Sequence, residues 1–169
     1  MIRIIKKRLN AIKRKLFSWR VARTAKETGT NLKVNHRSKV TSNTTLGSNV
    51  NFNGMKIIGR GSVAIGNNFH SGEECMMITQ IHNYDKGNAI PYDDTYIEKN
   101  IVIEDNVWLG SRVIVLGGVT IKEGAIIQAG SVVVSDIPYC AIAGGHPAKV
   151  FKYRDIQHYE ELKAKRKFH

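Results

Sequence analysis

The chain has 169 residues, a formal net charge of +12 and two cysteines, Cys75 and Cys140. That length suits one domain with a real core. Two cysteines are too few for a disulfide framework, so a reducing cytoplasm is expected. No apolar run is long enough to span a membrane and basic residues interrupt every candidate signal core, so neither a spanning helix nor a leader is expected.

The positive charge is concentrated at the start, where residues 1–26 hold ten Lys or Arg and no acid. Ile2, Ile5, Leu9, Ile12, Leu16 and Trp19 recur at alternating steps of three and four. That spacing predicts an amphipathic helix over 1–23 with a narrow apolar seam and a strongly basic opposite face. Gly29 and Asn31 are expected to stop it. Two roles fit: the seam packs on the end of the following domain as a cap, or residues 1–26 lie on an anionic membrane surface, with Phe17 and Trp19 near the headgroups. A nucleic-acid partner is not expected, because nothing else in the chain resembles a base-reading module.

From Val34 an apolar register of six begins: Val34, Val40, Leu46, Phe52, Ile58. A one-residue slip at Gly59-Arg60-Gly61 moves it to Ile65, Ser71 and Met77. The Asn-rich stretches between are suited to corners, since Asn accepts left-handed backbone angles. After Ile81 the register stops, and residues 83–96, NYDKGNAIPYDDTY, form an insertion of the kind that usually carries function. The register then resumes at Ile97 and runs through Ile103, Leu109, Val115, Ile121, Ile127, Val133 and Tyr139. A second series lies four places on: Ile101, Val107, Val113, Val119, Ala125, Ser131, Ile137. Neither a helix nor a half-buried strand has this period, so the unit is an internal repeat. Three hexads make a coil of roughly 18 residues around a prism-shaped core, and coils are stable only when stacked. Gly110, Gly118, Gly124 and Gly130 fall near the corners. The fold class is therefore an all-β solenoid; a sandwich of short strands would need polar turns about every 8–12 residues. After Pro138 comes the tail AIAGGHPAKVFKYRD and then a basic C-terminal helix from about Ile156. The expected organisation is an N-terminal helix (1–30), a coil domain (31–154, with loop 83–96) and a C-terminal helix or tail (155–169).

The hexads, the segment IEDNVWLGS, the extruded loop and the closing AGGHPAKV together resemble the hexapeptide-repeat acyltransferases over residues 34–154. The branch it most resembles is that of the galactoside, maltose and nodulation-factor O-acetyltransferases and their relatives that decorate bacterial surface polysaccharides. The resemblance implies a left-handed parallel β-helix, a homotrimer with sites shared between subunits, acetyl-CoA as co-substrate, no metal, and a saccharide acceptor. A lipid-linked acceptor fits the basic N-terminus.

Direct acetyl transfer from a thioester to an alcohol needs a base, an oxyanion donor and a groove for the donor, but no protein nucleophile. His82 closes the run MITQIH where the coil gives way to the loop, and imidazole can take and return the proton near neutral pH. The catalytic histidine of the resembling family also sits where the loop leaves the coil. Asn51, in Asn51-Phe52-Asn53, resembles an acceptor-binding Asn, though a corner role is equally open. Tyr84 and Asp85, next to His82 in the loop, fall with it on the acceptor side. Glu73 stands where the family often has Asn, which leaves open whether it orients His82 or binds acceptor. By resemblance, Trp108 lines the site and Ser111 faces the thioester. Pantetheine runs beside Gly117, Gly118 and Ala129, and Lys149 and Lys152 meet the nucleotide phosphates. Three alternatives stand: N-acetylation of a nucleotide-linked amino sugar or antibiotic, a non-catalytic scaffold, and a carbonic-anhydrase-like metal protein. The last needs three metal histidines, where the coil region offers His70 and His82.

Overall fold

The computed structural model describes the backbone of residues 2–169 and the side chains from Leu9 onward. The side chains of Ile2 and Ile5 in the apolar seam, and of Arg3, Lys6, Lys7 and Arg8, lie outside the described residues. Helix α1 (Ile2–Thr24) leads into a solenoid of about six coils, and helix α2 (Ile156–Ala164) follows it.

Each coil turns through three faces. The first comprises Glu27–Thr28, Thr44–Leu46, Val63–Ile65, Ile101–Ile103 and Thr120–Ile121. The second comprises Lys33–His36, Asn51–Asn53, His70–Glu73, Trp108–Leu109, Ile126–Ile127 and Ala141–Gly144, and the third Lys56–Ile58, Met76–Ile78, Ile114–Leu116 and Val132–Val133. Neighbours within each face pair in parallel, and Lys149–Tyr153 closes the second face antiparallel to Ala141–Gly144.

Burial follows the hexads because alternate side chains of so short a strand point inward. Ile103, Leu109, Val115, Ile121, Ile127 and Val133 are buried, as is the whole second series from Ile101 to Ile137. The ends of the first series depart from it. Ile97 belongs to an antiparallel hairpin in which Tyr96–Glu98 pairs with Gln80–His82, so the loop leaves the coil at Gln80 and regular coils resume at Ile101. Tyr139 is only partly buried; Cys140 and Ala141 close the core there instead. The early slip is one residue net, but it is made in two opposite steps. Ile57, not Ile58, points inward, because the corner at Gly54 (φ +91°) is one residue short. The Gly59–Ser62 corner restores the frame at Val63 and Ile65.

The corners between the first and second faces are held by an asparagine ladder. Asn31, Asn49, Asn68 and Asn106 all have φ between 54° and 60°. Their side-chain amides bond in series, Asn31 to Asn49 at 2.8 Å, Asn49 to Asn68 at 3.1 Å and Asn68 to Asn106 at 2.8 Å. Asn106 passes the chain of bonds to Tyr159 of α2 at 2.8 Å, whose hydroxyl donates to Glu123. Helix α2 is N-capped by Asp155 and carries Glu160 and Glu161, so it is mixed in charge where a basic helix was expected.

Helix α1 caps the first coil, but by a different stripe from the expected one. Val21 is buried, Phe17 packs on the core, and Ser18 Oγ accepts the Val34 amide at 3.0 Å. Leu9, Ile12, Leu16 and Trp19 are all exposed. The helix ends at Thr24, ahead of Gly29 and Asn31, which already sit in coil corners.

Candidate active site

The extruded loop carries His82 at the end of its ascending strand. The imidazole is stacked on Tyr92 (3.7 Å between centroids) and tilted against Tyr96 (4.6 Å), its direct partner across the hairpin. Its Nδ1 is buried with no hydrogen-bond partner among the described residues. A buried polar nitrogen is nearly always bonded, so this one stands out as unpartnered within the chain.

Asp93 folds the loop over this ring. Its carboxylate accepts the Asn88 amide (2.7 Å), the Thr95 amide (2.9 Å) and the Thr95 hydroxyl (2.5 Å). Those donors, the Thr95 hydroxyl foremost, hold the Asp93 carboxyl below the usual carboxylate range. Tyr84 and Asp85 are exposed on the rim beyond His82. Tyr92, Tyr96 and Asp93 were not singled out from sequence; the signal available was two tyrosines and an Asp-Asp pair in an otherwise patternless insertion.

The remaining candidates fall on two other parts of the surface and on the loop's own edge. Gly117 and Gly118 lie below the loop base, between the third and first faces. A side chain on Gly117 would meet Lys99 Cβ at 2.8 Å, and Gly118 has φ +94°. Ser111, Glu73 and Ala129 lie on the opposite edge of the third face. There Ser111 Oγ accepts the Glu73 amide at 3.1 Å, and a side chain on Gly110 would sit 2.5 Å from the Ala129 nitrogen. Buried Cys75 supports this edge from inside through a bond to the Gly110 carbonyl at 3.1 Å, and burial pushes its thiol up. The Glu73 backbone is thus tied to the Ser111 edge, and among the described residues no hydrogen bond joins Glu73 to the His82 Nδ1.

Asn51, His70 and Trp108 form one row on the second face, in register across three coils. Trp108 is 52 % exposed, so its ring is not core packing. Asn51 Oδ1 accepts from Asn35 at 3.0 Å. His70 was not singled out for the acetyl-transfer site; it stacks on His169 at 5.5 Å, and burial holds it below the ordinary imidazole value. Lys149 and Lys152 are exposed on the last strand, at the end of this face. His70 and His82 do not converge, and no group of three or more His, Cys, Asp or Glu among the described residues is placed to hold a metal. One chain therefore presents an imidazole at one edge and, at another, close-packed coil backbone beside the open flank of Gly130.

Residues 100–135 match the bacterial transferase hexapeptide family (six repeats). The structure superimposes on galactoside acetyltransferase in complex with coenzyme A with a TM-score of 0.69, at 28 % identity, over 79 % of this chain and 67 % of that one. The fold is that of the hexapeptide-repeat acyltransferases. Its coils are accordingly left-handed, an exception to the right-handed rule for parallel crossovers. A maltose O-acetyltransferase from Clostridium difficile aligns with a TM-score of 0.60 at 26 % identity, over 76 % of this chain and 66 % of that one. Among curated proteins, a Schizosaccharomyces pombe protein bearing an acetyltransferase name is 43 % identical over 90 residues, 52 % of this chain and 41 % of that protein. The Staphylococcus aureus 2,3,4,5-tetrahydropyridine-2,6-dicarboxylate N-acetyltransferase is 44 % identical over 52 residues, 31 % of this chain and 22 % of its own length. The chain thus spans about two fifths or less of these curated relatives.

Proposed function

We propose that the protein transfers an acetyl group from acetyl-CoA to a sugar hydroxyl, directly and without an acyl-enzyme. The observation that carries this reading is His82, held against two tyrosines at the base of the loop with its Nδ1 unpartnered. In the reaction, the acceptor oxygen attacks the thioester carbonyl while the imidazole removes its proton. The tetrahedral intermediate collapses, the carbon–sulfur bond breaks, and the imidazolium returns the proton to the departing thiolate. The Ser111 edge supplies donors for the transient oxyanion, and the open flank of Gly130 leaves room for pantetheine beside Ala129. Lys149 and Lys152 meet the nucleotide phosphates as point charges.

The sugar class is supported by the galactoside and maltose enzymes among the similar structures. The surface-polysaccharide setting and the cytoplasmic location follow the sequence resemblance and reading. The separation of His82 from the Ser111 edge within one chain supports a site shared between subunits, and the homotrimer itself follows the sequence resemblance. An amine acceptor is the second reading, favoured by the match to the Staphylococcus N-acetyltransferase.

The test is acetyl transfer from labelled acetyl-CoA to a panel of sugar alcohols and amino sugars. His82→Ala is expected to lower turnover at least about a hundredfold with unchanged thermal melting. Full activity in that variant sinks the mechanism, and transfer only to amines moves the assignment to the second reading.

A further inference from the structure

We infer that helix α1 is a docking surface for an anionic phospholipid bilayer. At about 100° per residue, Leu9, Ile12, Leu16 and Trp19 fall on one stripe, and Phe17, Ser18 and Val21, which fasten the helix to the first coil, fall nearly opposite. The stripe therefore points away from the protein. Its members are 51 %, 63 %, 43 % and 54 % exposed, so four large apolar side chains in a row are left about half in solvent.

The charge on either side identifies the occupant. Lys13 and Arg20 follow one border of the stripe and Lys15 the other, and all three are exposed. Arg23 sits over the Trp19 ring at 5.4 Å. An apolar stripe between two basic borders with an amphipathic aromatic is what a helix lying in the plane of a headgroup layer requires: the stripe enters the acyl boundary while the cations snorkel to phosphate.

Behind the stripe, the charge continues into the solenoid. A cleft of about 760 Å³ opens between α1 and the first coils, with Trp19 and Arg20 on its lip and Arg37, Lys39 and Lys56 on its far wall. No carboxylate lines it. A second copy of this chain would bring the same positive surface against itself, so charge disfavours self-association here and favours an anionic partner. No helix among the described residues is long and apolar enough to cross a membrane, so this contact is peripheral. It would hold the transferase against acceptors carried on lipid.

The experiment is co-sedimentation of the full-length protein with phosphatidylcholine vesicles and with mixed phosphatidylcholine–phosphatidylglycerol vesicles. Binding is expected to the mixed vesicles only and to weaken as salt rises. Ile12→Glu/Leu16→Glu should abolish it. Lys13→Gln/Arg20→Gln should weaken it about thirtyfold, near the contribution of two cations at a charged surface. Both pairs lie on the exposed stripe or its borders, so thermal melting should not change. No sedimentation of the wild type, equal binding to both vesicle types, or binding indifferent to both variants overturns the proposal. So does a fall in oligomeric mass in the Glu variant, which would assign the stripe to a second copy. The readout involves no acetyl transfer, so it succeeds or fails independently of the enzymatic reading.

Discussion

At the scale of single residues, His82 depends on neighbours that hold its ring rather than on its place in the sequence alone. Tyr92 stacks on one side and Tyr96 leans on the other. An aromatic pair contributes about 1 kcal/mol beyond buried area, so Tyr92→Leu should lower kcat by about fivefold to tenfold with a smaller change in KM. A steady-state comparison with Tyr92→Phe, which keeps the stack and should restore kcat, checks that Tyr92 is a positioning residue. Asp93 controls the loop as a whole. Its carboxyl is held below its ordinary value by hydrogen bonds made only in the folded loop. That support is therefore fully present above the ordinary carboxylate range and is lost as pH falls through the depressed value. Limited proteolysis within residues 83–95 should accelerate over that acid window in the wild type. Asp93→Ala should be cut fast already at neutral pH.

Among the elements, the coils are held by an inward hexad and by the outward asparagine ladder together. The hexad supplies buried area; the ladder supplies left-handed corners whose amides are bonded to the coils above and below. Asn68 has φ 54° and sits mid-ladder with a bond on each side. Asn68→Ala combines a strained backbone with two broken bonds and should destabilise by about 2 kcal/mol. Asn68→Gly loses the same bonds but relieves the strain, so it should be the milder change. Chemical denaturation of both variants tests the order. The opposite order would mean that side-chain bonds matter little at this corner.

For the whole molecule, the separation of His82 from the Ser111 edge has a consequence that can be measured. If each site takes its imidazole from one subunit and its groove from the next, two inactive variants should complement. Equal co-expression of His82→Ala with Ser111→Trp should recover about a quarter of the wild-type sites, the random chance of pairing two intact halves in a heterologous ring. Recovery of nothing, with mixed oligomers demonstrated, would place the whole site within one chain.

Much of this architecture was legible from residues alone because a solenoid repeats its burial rule in every coil. A period of six declared the fold class, the central coils and the interruption that carries His82. The imidazole itself stood out by its position at that break. What sequence left unresolved was set by contacts between coils. The frame shift at Gly54 depends on how one corner meets the next, so Ile58 looked inward where Ile57 is buried. The loop begins at Gln80 because an antiparallel pairing with Tyr96–Glu98 outcompetes the coil register, and nothing local signals that partner. The clamp on His82 joins residues ten and fourteen apart in an aperiodic stretch, which only the folded hairpin brings together. Helix α1 shows the division most clearly. Its amphipathic period is written in the sequence, but which side meets the protein was decided by the shape and hydrogen-bonding needs of the first coil: Ser18 and Val21 fit there, and the larger apolar stripe was left facing out.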